Sequence, residues 1–425
     1  MKIHKISQIY PTLKFSEHDF LEYYCQSFKK SELGRIYERL PLKAMAKEIY
    51  SRMPERKPQG NKHNFPPEGE IALMFLKPYT GLSDDELIEM LNGSIHMQIF
   101  CGVLLDTKHP IKYGKIVSAI RNRLAPYLDI KAIQKLLYEM WSPEIEDKEL
   151  CLTDATCYES HLRFPTDVKL LWECCEWLYP LLHHACREAR ERLPRTKYDD
   201  VDKARLKYAK KHKQGKKEAH KLRRRERHLL EKLWGEWIRI TKLLGGSMFL
   251  TAEQEKRLAA IRIVLRQQKA LFNEEEVKHR IVSIDRPYIR PIVRGKENKQ
   301  AEFGAKCNNI QIEGISFIEH HSFEAFNEGI RQKECIRYQE ELTRVKVEKV
   351  GADRIYATND NRRECTENGV HTCFVRKGPR PKEEPQETRT ARRIIGNLTC
   401  YGHGGEFRQS ETTLDGTCGG TQPIQ

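Results

Sequence analysis

The sequence predicts an α/β protein of mixed α+β type, with an all-helical N-terminal region and a long helical stretch between its first strand and its later strands. Apolar residues recur at helical spacing through much of residues 65–145 and again through residues 168–277. Charged residues make up 32% of the chain, and no apolar run approaches the roughly 18 residues that a membrane-spanning helix needs. Short apolar runs typical of strands occur at residues 150–156, 301–307, 315–319 and 345–352.

Composition limits the class of partner. The chain carries 75 Lys and Arg against 60 Asp and Glu, a formal charge of +15. Such an excess favours a polyanionic partner, most often nucleic acid, although a merely soluble basic protein has the same balance. The thirteen cysteines form no C-x-x-C pair, and residues 1–5 do not begin an apolar signal segment. We therefore expect a cytoplasmic protein with reduced thiols and no membrane partner.

The N-terminal region is predicted to be helical. Residues 1–64 form a helical and irregular segment with a polar linker at 56–62, and residues 65–145 form a helical domain. Within this domain we expect a helix over 70–76 that ends near Pro78, and a second helix that opens with a Ser83/Glu86 capping box. A third begins near Met97. Such short helices are typical both of a helix-turn-helix-like DNA module and of a small structural domain.

Further helices follow on either side of the first strand. The segment from Lys112 to Trp141 is predicted to be amphipathic helix, and residues 168–277 a helical, basic stretch. Residues 203–227 hold thirteen Lys or Arg and only two Glu, and Arg223, Arg224 and Arg225 are the densest point. This pattern predicts a long cationic helix. It is either a solvated face or a surface that lies along phosphates.

Asp154 is the first candidate site residue. It interrupts the apolar run 150–156 among small and hydroxyl residues, so a strand would present its carboxylate to a cleft. The alternative is an Asp that caps a turn. The run 350–356 repeats the pattern, with Asp353 after a small residue and Arg354 beside it. Adjacent parallel strands would bring the two carboxylates together, as two metal ions about 4 Å apart require.

The C-terminal half reads mainly as strands. We expect strands at 281–284 and 345–352, and a pair at 301–307 and 315–319 joined by residues 308–314. Residues 323–342 are predicted to be a helix.

These motifs, in this order, resemble bacterial insertion-sequence transposases with an RNase H-like DDE catalytic domain. The resemblance covers most of the chain from Phe65 to Val375, and residues 65–105 resemble the InsH-type N-terminal domain of those proteins. The motifs that carry it are Leu152–Thr156, Tyr158–Ser160 and Phe164–Asp167, then Arg290–Lys296 with Glu302–Lys306, and Ala352–Tyr356 with Asn361–Arg362.

The resemblance implies an RNase H-like catalytic domain at 146–167 and 278–398, interrupted by the insertion at 168–277. It implies a polynucleotidyl transferase that cleaves element ends and joins them to target DNA. Asp154 and Asp353 would hold two Mg²⁺ or Mn²⁺ ions, in a homo-oligomer on DNA. Candidate phosphate contacts are Arg294, Lys296, Lys306 and Arg354, with Arg223, Arg224 and Arg225 in the insertion.

The C-terminal tail departs from the family pattern. The family places its third carboxylate in a helix, in a motif like E-G-x-F-G-x-x-K, whereas residues 399–425 are Gly-rich and lack apolar periodicity. Reading compatible codons one nucleotide forward from His403 yields M-E-G-S-F-G-N-Q-K. We therefore interpret 399–425 as an out-of-frame, disordered tail after a frameshift near Leu398. In-frame Glu406 is a poor substitute, because the neighbouring glycines disfavour a helix.

Two other functions fit parts of the sequence. A non-catalytic DNA-binding or regulatory protein derived from a transposase would share the basic regions and lack cleavage. An RNA-binding scaffold built on residues 203–227 would be expected to carry aromatic-rich strands for stacking bases, and the sequence has none.

Overall fold

A computed structural model describes residues 3–5, 15–54, 64–106, 108–160, 162–245, 250–296, 299–375, 390 and 392–396. The fold is α+β with a helical N-terminal region, as the sequence predicts. The helices are α1 Phe15–Lys30, α2 Glu32–Glu38, α3 Leu42–Ser51, α4 Pro67–Thr80, α5 Asp84–Gly93, α6 Ile95–Phe100, α7 Lys115–Leu124, α8 Ile130–Trp141, α9 Asp167–Glu188, α10 Tyr198–Ala209, α11 Lys216–Leu243, α12 Ala252–Phe272, α13 Gln332–Thr343 and α14 Asn359–Glu367. The strands are β1 Ile3–Lys5, β2 Val103–Leu105, β3 Leu150–Glu159, β4 Pro291–Lys296, β5 Lys299–Ile312, β6 Ile315–Ser322, β7 Lys349–Ala352 and β8 His371–Thr372.

The chain divides into two compact units. The first unit comprises residues 1–154, 309–319 and 329–425, and the second unit comprises residues 155–308 and 320–328. Within the described ranges, no helix combines the length and apolarity that crossing a bilayer requires. The eleven cysteines there are free thiols.

The N-terminal helices of the first unit enclose one apolar core, which draws on α1 through α8. The predicted capping box is confirmed: the Ser83 N–H donates to Glu86 Oε2 at 2.8 Å, and the Glu86 N–H donates to Ser83 Oγ at 3.3 Å. Helix α4 runs past Pro78, where the sequence predicted its end. It stops at Gly81, whose left-handed backbone lets its N–H donate to Lys77 O.

The predicted helical segment from Lys112 to Trp141 contains two helices. A short 3₁₀ turn, Ala125–Tyr127, separates α7 from α8, and Pro126 in this turn has no N–H to continue the α-helix. Asp129 then opens α8, because its side chain accepts from the Ala132 N–H at 3.1 Å.

A buried polar triad ties the N-terminal helices together. The Glu70 carboxylate on α4 is almost wholly inaccessible, and both Tyr50 of α3 and Arg123 of α7 donate to its Oε2. Burial and the neighbouring Glu70 raise the pKa of Tyr50 to about 12. Arg123 places a positive charge beside the buried carboxyl group and offsets part of the cost of burying it.

The sheet has the strand order β4-β5-β3-β7-β8, with β6 paired to β5. Strand β7 is parallel to both β3 and β8, whereas β4 is antiparallel to β5. The predicted pair of strands exists, but β5 reaches Ile312 and no long loop follows. Glu313 and Gly314 make the whole turn, with positive φ angles of 46° and 84°.

The second unit is built mainly from helices α9 to α12 around their own apolar core. The prediction of one long cationic helix over 203–227 is wrong, because α10 ends at Ala209 and α11 begins at Lys216. Residues 210–215 contain no apolar side chain that could anchor a helix to the core, so burial does not sustain the helix there.

Two other predicted elements differ. Residues 281–284 are not a strand. Ile281 and Ile284 are buried in the helical core, and the Ile281 N–H donates to the Gln267 side chain at 3.0 Å rather than to a neighbouring strand. The helix predicted over 323–342 begins only at Gln332, because Phe323 and Phe326 instead make ring contacts with Tyr288 and His320.

Asp167, at the first position of α9, is the polar centre of the second unit. Its carboxylate accepts from Arg223 of α11 at 3.0 Å and from the Gln268 amide of α12 at 2.9 Å, and it pairs with Arg280. Burial alone would raise the pKa of Asp167, but the Gln268 amide and the two guanidinium groups outweigh it and lower this pKa below its ordinary value.

We expect Asp167→Asn to lower the free energy of unfolding by about 2 kcal/mol at pH 7, because two cations lose their counter-ion. A carboxyl with a lowered folded-state pKa stabilises the protein above its unfolded pKa of about 3.9, and this contribution disappears as the pH falls through the folded value. Denaturant unfolding at pH 7 and pH 3 should show a large difference that shrinks at the lower pH. Asp199→Asn, an exposed change on α10, is the control; equal effects of the two substitutions would contradict this role for Asp167.

Candidate active site on the sheet

The structure brings Asp154 and Asp353 to adjacent positions on neighbouring strands. The last pair in the β3–β7 ladder is Thr153 with Ala352, and the next residue on each strand is an Asp. Since the strands are parallel, both aspartates stand at the same level of the sheet. Their backbones are separated by about 4.8 Å, the spacing between neighbouring strands. The separation of 199 positions in sequence is thus closed by a single ladder.

Strand β3 does not stop at Asp154, contrary to the prediction of a strand-end carboxylate. It continues to Glu159, and only its pairing with β7 ends at Thr153. Strand β7 does end there. Asp353 opens a 3₁₀ turn, Arg354–Tyr356, and its Oδ1 accepts from the Arg354 N–H at 2.6 Å. Asp154 is half-buried and Asp353 is exposed, so the pair opens to solvent on the β7 side.

Side-chain alternation defines the face on which the two carboxylates lie. Cys151, Val350 and Ala352 pack into the core beneath one face of the sheet. Leu150 and Leu152 face the other way and pack against Ile395. Because successive residues of a strand alternate, Asp154 shares its face with Leu150 and Leu152, and Asp353 lies on the same face.

Helix α13 supports β3 from the opposite face. Its Cys335 thiol lies 3.2 Å from Thr153 Oγ1, and its Gln339 amide donates to the carbonyl oxygens of Lys148 and Leu150 at 3.0 Å. Burial raises the pKa of Cys151, beneath the site, and Cys335, Glu340 and Cys365 add to that shift. The Cys151 thiol is therefore a neutral packing group beneath the strand.

Asn361 fixes the chain that follows Asp353. It is buried at the start of α14, and its amide donates to Gly329 O at 2.6 Å and to Tyr356 O at 2.7 Å. Tyr356 itself is fully buried. The turn that carries Asp353 is thereby anchored at its far end. The Asn361–Arg362 motif contributes this anchor, which sequence reasoning did not assign to Asn361.

No group of three or more His, Cys, Asp or Glu side chains in the described residues is arranged to hold a metal ion. Asp154 and Asp353 form a pair of hard oxygen donors, the ligand chemistry that Mg²⁺ and Mn²⁺ prefer. Glu406, the weak candidate for a third carboxylate, lies outside the described residues, as does the whole tail 397–425.

The predicted phosphate contacts fall into different settings. Arg354 is exposed directly after Asp353. Lys306 in the second unit is largely buried, pairs with Glu328 and donates to Phe326 O at 2.9 Å. Arg294 and Lys296 lie in β4, and their side chains are outside what the structure describes.

The Arg223–Arg227 run on α11 is also divided. Arg223 is held by Asp167, and Arg227 pairs with Glu231 at 3.1 Å and lies 4.6 Å from the centre of the Phe272 ring. Glu226 is fully buried, and burial raises its pKa to about 9, so it is neutral at pH 7. Arg224 and Arg225 are exposed. Only part of this basic run is therefore open to an external phosphate.

We expect Asn361→Ala to lower the free energy of unfolding by about 2 kcal/mol, because two buried carbonyl groups lose their donor. Asp360→Ala, whose side chain is 90% exposed on the same turn, should stay within about 0.5 kcal/mol of the wild type. Urea denaturation of both variants tests this. A small, equal effect of the two substitutions would show that Asn361 does not anchor the turn.

Comparison with known proteins adds one finding. Residues 20–123, which contain helices α2 to α6 and most of α1 and α7, match the model of a family described as a transposase domain (DUF772). No curated protein and no solved structure matches the chain. The match supports a transposase-like function for the chain, with DNA as the partner that such a function suggests. Strands β3 and β7 lie outside the matched residues.

Proposed function

We propose that this chain is a transposase of the DDE type, in which Asp154 and Asp353 form part of an RNase H-like catalytic domain. Its substrates are the terminal inverted repeats of a bacterial insertion element and the target DNA, bound by a homo-oligomer in the cytoplasm, on the nucleoid. The observation that carries the proposal is the β3–β7 register, which makes the two aspartates neighbours. The transposase-domain match at residues 20–123 supports it independently.

The two carboxylates have the chemistry and the setting that phosphodiester cleavage demands. Ligands of parallel strands meet at the carboxyl ends of those strands, which is where β7 ends and Asp353 begins. Mg²⁺ or Mn²⁺ bound by Asp154 and Asp353, two ions in all, would supply Lewis-acid activation of the attacking and leaving oxygens. The exposed Arg354 guanidinium adjoins Asp353 and suits a phosphate of the bound strand.

The rest of the site holds these residues in place. Helix α13 supports the Asp154 strand through Cys335 and Gln339, and Asn361 anchors the turn after Asp353. A catalytic pair must keep its geometry to within about half an ångström, and such supporting contacts are how proteins achieve it. The arrangement therefore favours a catalytic origin for the pair over an Asp that merely caps a turn.

We further propose that catalysis by this copy is impaired, because the third carboxylate is missing from its reading frame. The sequence after Leu398 is Gly-rich where the related proteins carry a Glu on a helix. Loss of one catalytic group from a set that acts together usually costs orders of magnitude in rate. The second candidate function is that of a DNA-binding protein that regulates without cleaving. It applies if the chain still binds DNA although catalysis is lost.

In its present frame the chain should bind a labelled element end without cleaving it in Mg²⁺ or Mn²⁺. A chain read one nucleotide forward after Leu398 should cleave, and Asp154→Asn or Asp353→Asn in that chain should reduce the rate at least about 100-fold. Gel separation of the labelled strands measures both. Asp360→Asn, exposed on α14, is the matched control and should leave the rate unchanged.

Two outcomes would contradict the proposal. Efficient cleavage by the chain as it stands would show that the frame is not broken. Cleavage by the restored chain that survives both substitutions would show that the two aspartates are not catalytic.

For DNA binding through α11, we expect the double change Arg224→Ala/Arg225→Ala to weaken affinity for DNA of any sequence. Each lost phosphate contact should reduce the slope of log K against log salt by about 1. Fluorescence anisotropy at several salt concentrations measures this. Arg239→Ala removes a cation of the same helix that is already paired with Glu236 and Glu191, and it should change the slope little. Identical slopes for the double variant and the wild type would rule out this surface.

A further inference from the structure

Asn309 on β5 is a buried amide whose carbonyl oxygen has no hydrogen-bond partner among the described residues. The residue is 6% exposed, and its Oδ1 accepts no hydrogen bond from any described residue. Gln332 and Gln339 of α13 also carry buried amide oxygens that accept no hydrogen bond from the described residues, so what distinguishes Asn309 is its position in the sheet. A buried carbonyl oxygen that accepts nothing is costly, and it calls for a donor or a cation that the folded chain does not itself provide.

The sheet places Asn309 on the same face as the two aspartates. Its neighbours Ile310 and Ile312 pack into the core on the other face, together with Cys151, Val350 and Ala352. Because side chains alternate along a strand, Asn309 points to the opposite face. That is the face of Asp154 and Asp353.

The register brings Asn309 level with Asp154. The Ser160 N–H donates to Phe303 O at 2.7 Å, and Gly304 lies against the backbone of Tyr158 and Glu159. Residue numbers increase along β5 in the direction in which they decrease along β3, so these neighbouring strands are antiparallel. Six residues back along β3 and six forward along β5 lead from this bond to Asp154 and Asn309.

Three oxygen-bearing side chains therefore stand in a row across β5, β3 and β7, with Asp154 in the middle. Neighbouring strands are about 4.8 Å apart, so Asn309 and Asp353 flank Asp154 on opposite sides. Amide carbonyl oxygens, like carboxylates, are ligands that Mg²⁺ and Mn²⁺ accept. Two ions that share one carboxylate need a further oxygen on each side of it.

We propose that Asn309 Oδ1 is a third protein ligand of the divalent-cation site, on the side of Asp154 opposite to Asp353. This inference rests on the proposed function. A neutral oxygen at this position lets the chain retain a second ion despite lacking a third carboxylate in its frame. It binds that ion more weakly than a carboxylate would.

Mn²⁺ binding to the full chain tests the proposal without DNA or catalysis. The near-isosteric change Asn309→Leu should lower the affinity of the weaker Mn²⁺ ion at least about tenfold, as measured by calorimetry and by the electron paramagnetic resonance of free Mn²⁺. Its melting temperature without metal should equal or exceed that of the wild type, because an unsatisfied oxygen has been removed. Asn309→Asp should instead tighten the binding of that ion.

Gln311→Leu is the matched control, since Gln311 lies on the same strand and face, two residues further from the Asp154 level. It should leave Mn²⁺ affinity unchanged. Unchanged affinity in both Asn309 variants would overturn the proposal, as would a lower melting temperature of Asn309→Leu without any loss of metal affinity. If Asn309→Leu does not fold, the effect of Asn309→Asp decides.

Asp154→Asn and Asp353→Asn separate this inference from the proposed function. Mn²⁺ binding that needs both aspartates but ignores Asn309 would overturn the role of Asn309 alone. The metal site as a whole would be overturned if the wild type did not bind Mn²⁺. It would also be overturned if both Asp variants bound Mn²⁺ as tightly as the wild type.

Discussion

The parallel pairing of β3 with β7 is the constraint on which the candidate site depends. Its four rungs end at Thr153 and Ala352, so the two aspartates that follow become neighbours. A shift of one residue in this register would stagger the carboxylates and exchange the faces of every later side chain. Apolar packing specifies the register on both faces, through Val350 and Ala352 on one and Leu150 and Leu152 on the other. Ordinary core packing thus sets the geometry of the charged pair.

The general fold, and the two apolar runs that carry Asp154 and Asp353, could be predicted from the sequence because each signal is local. Alternating and helical periodicities mark strands and helices, and Ser83 with Glu86 identifies a helix start within four residues. The errors arose where distant contacts override local pattern. Ile281 and Ile284 have the pattern of a strand, yet both are buried in a helical core. The Gln267 side chain accepts the hydrogen bond of the Ile281 N–H, which a neighbouring strand would otherwise accept. Pro126, by contrast, is a local signal for the break between α7 and α8, which the prediction of helix from Lys112 to Trp141 did not include.

Supporting residues of the site could not be found from the sequence alone. The partners of these residues are backbone or hydroxyl groups far away in sequence, so no sequence spacing predicts the contacts of Asn361, Gln339 and Cys335. Charge counting had a related weakness. The run Arg223–Arg227 appears uniformly cationic, but Arg223 forms an ion pair with Asp167 and Arg227 forms one with Glu231. Burial keeps Glu226 protonated. Which charges face outward is decided by the helices packed against α11.

The two aspartates differ in the backbone that carries them. Asp154 lies inside the ten-residue strand β3, whereas Asp353 follows the four-residue strand β7 and begins a single 3₁₀ turn. Local opening costs most in central strands and least at the ends of short elements. The β3 backbone should therefore exchange its amide hydrogens with solvent only in rare, extensive openings, while the segment after Ala352 exchanges in smaller fluctuations. The backbone that carries Asp154 is thus held over a longer strand than the backbone that carries Asp353, so hydrogen exchange at the two positions should report openings of different extent.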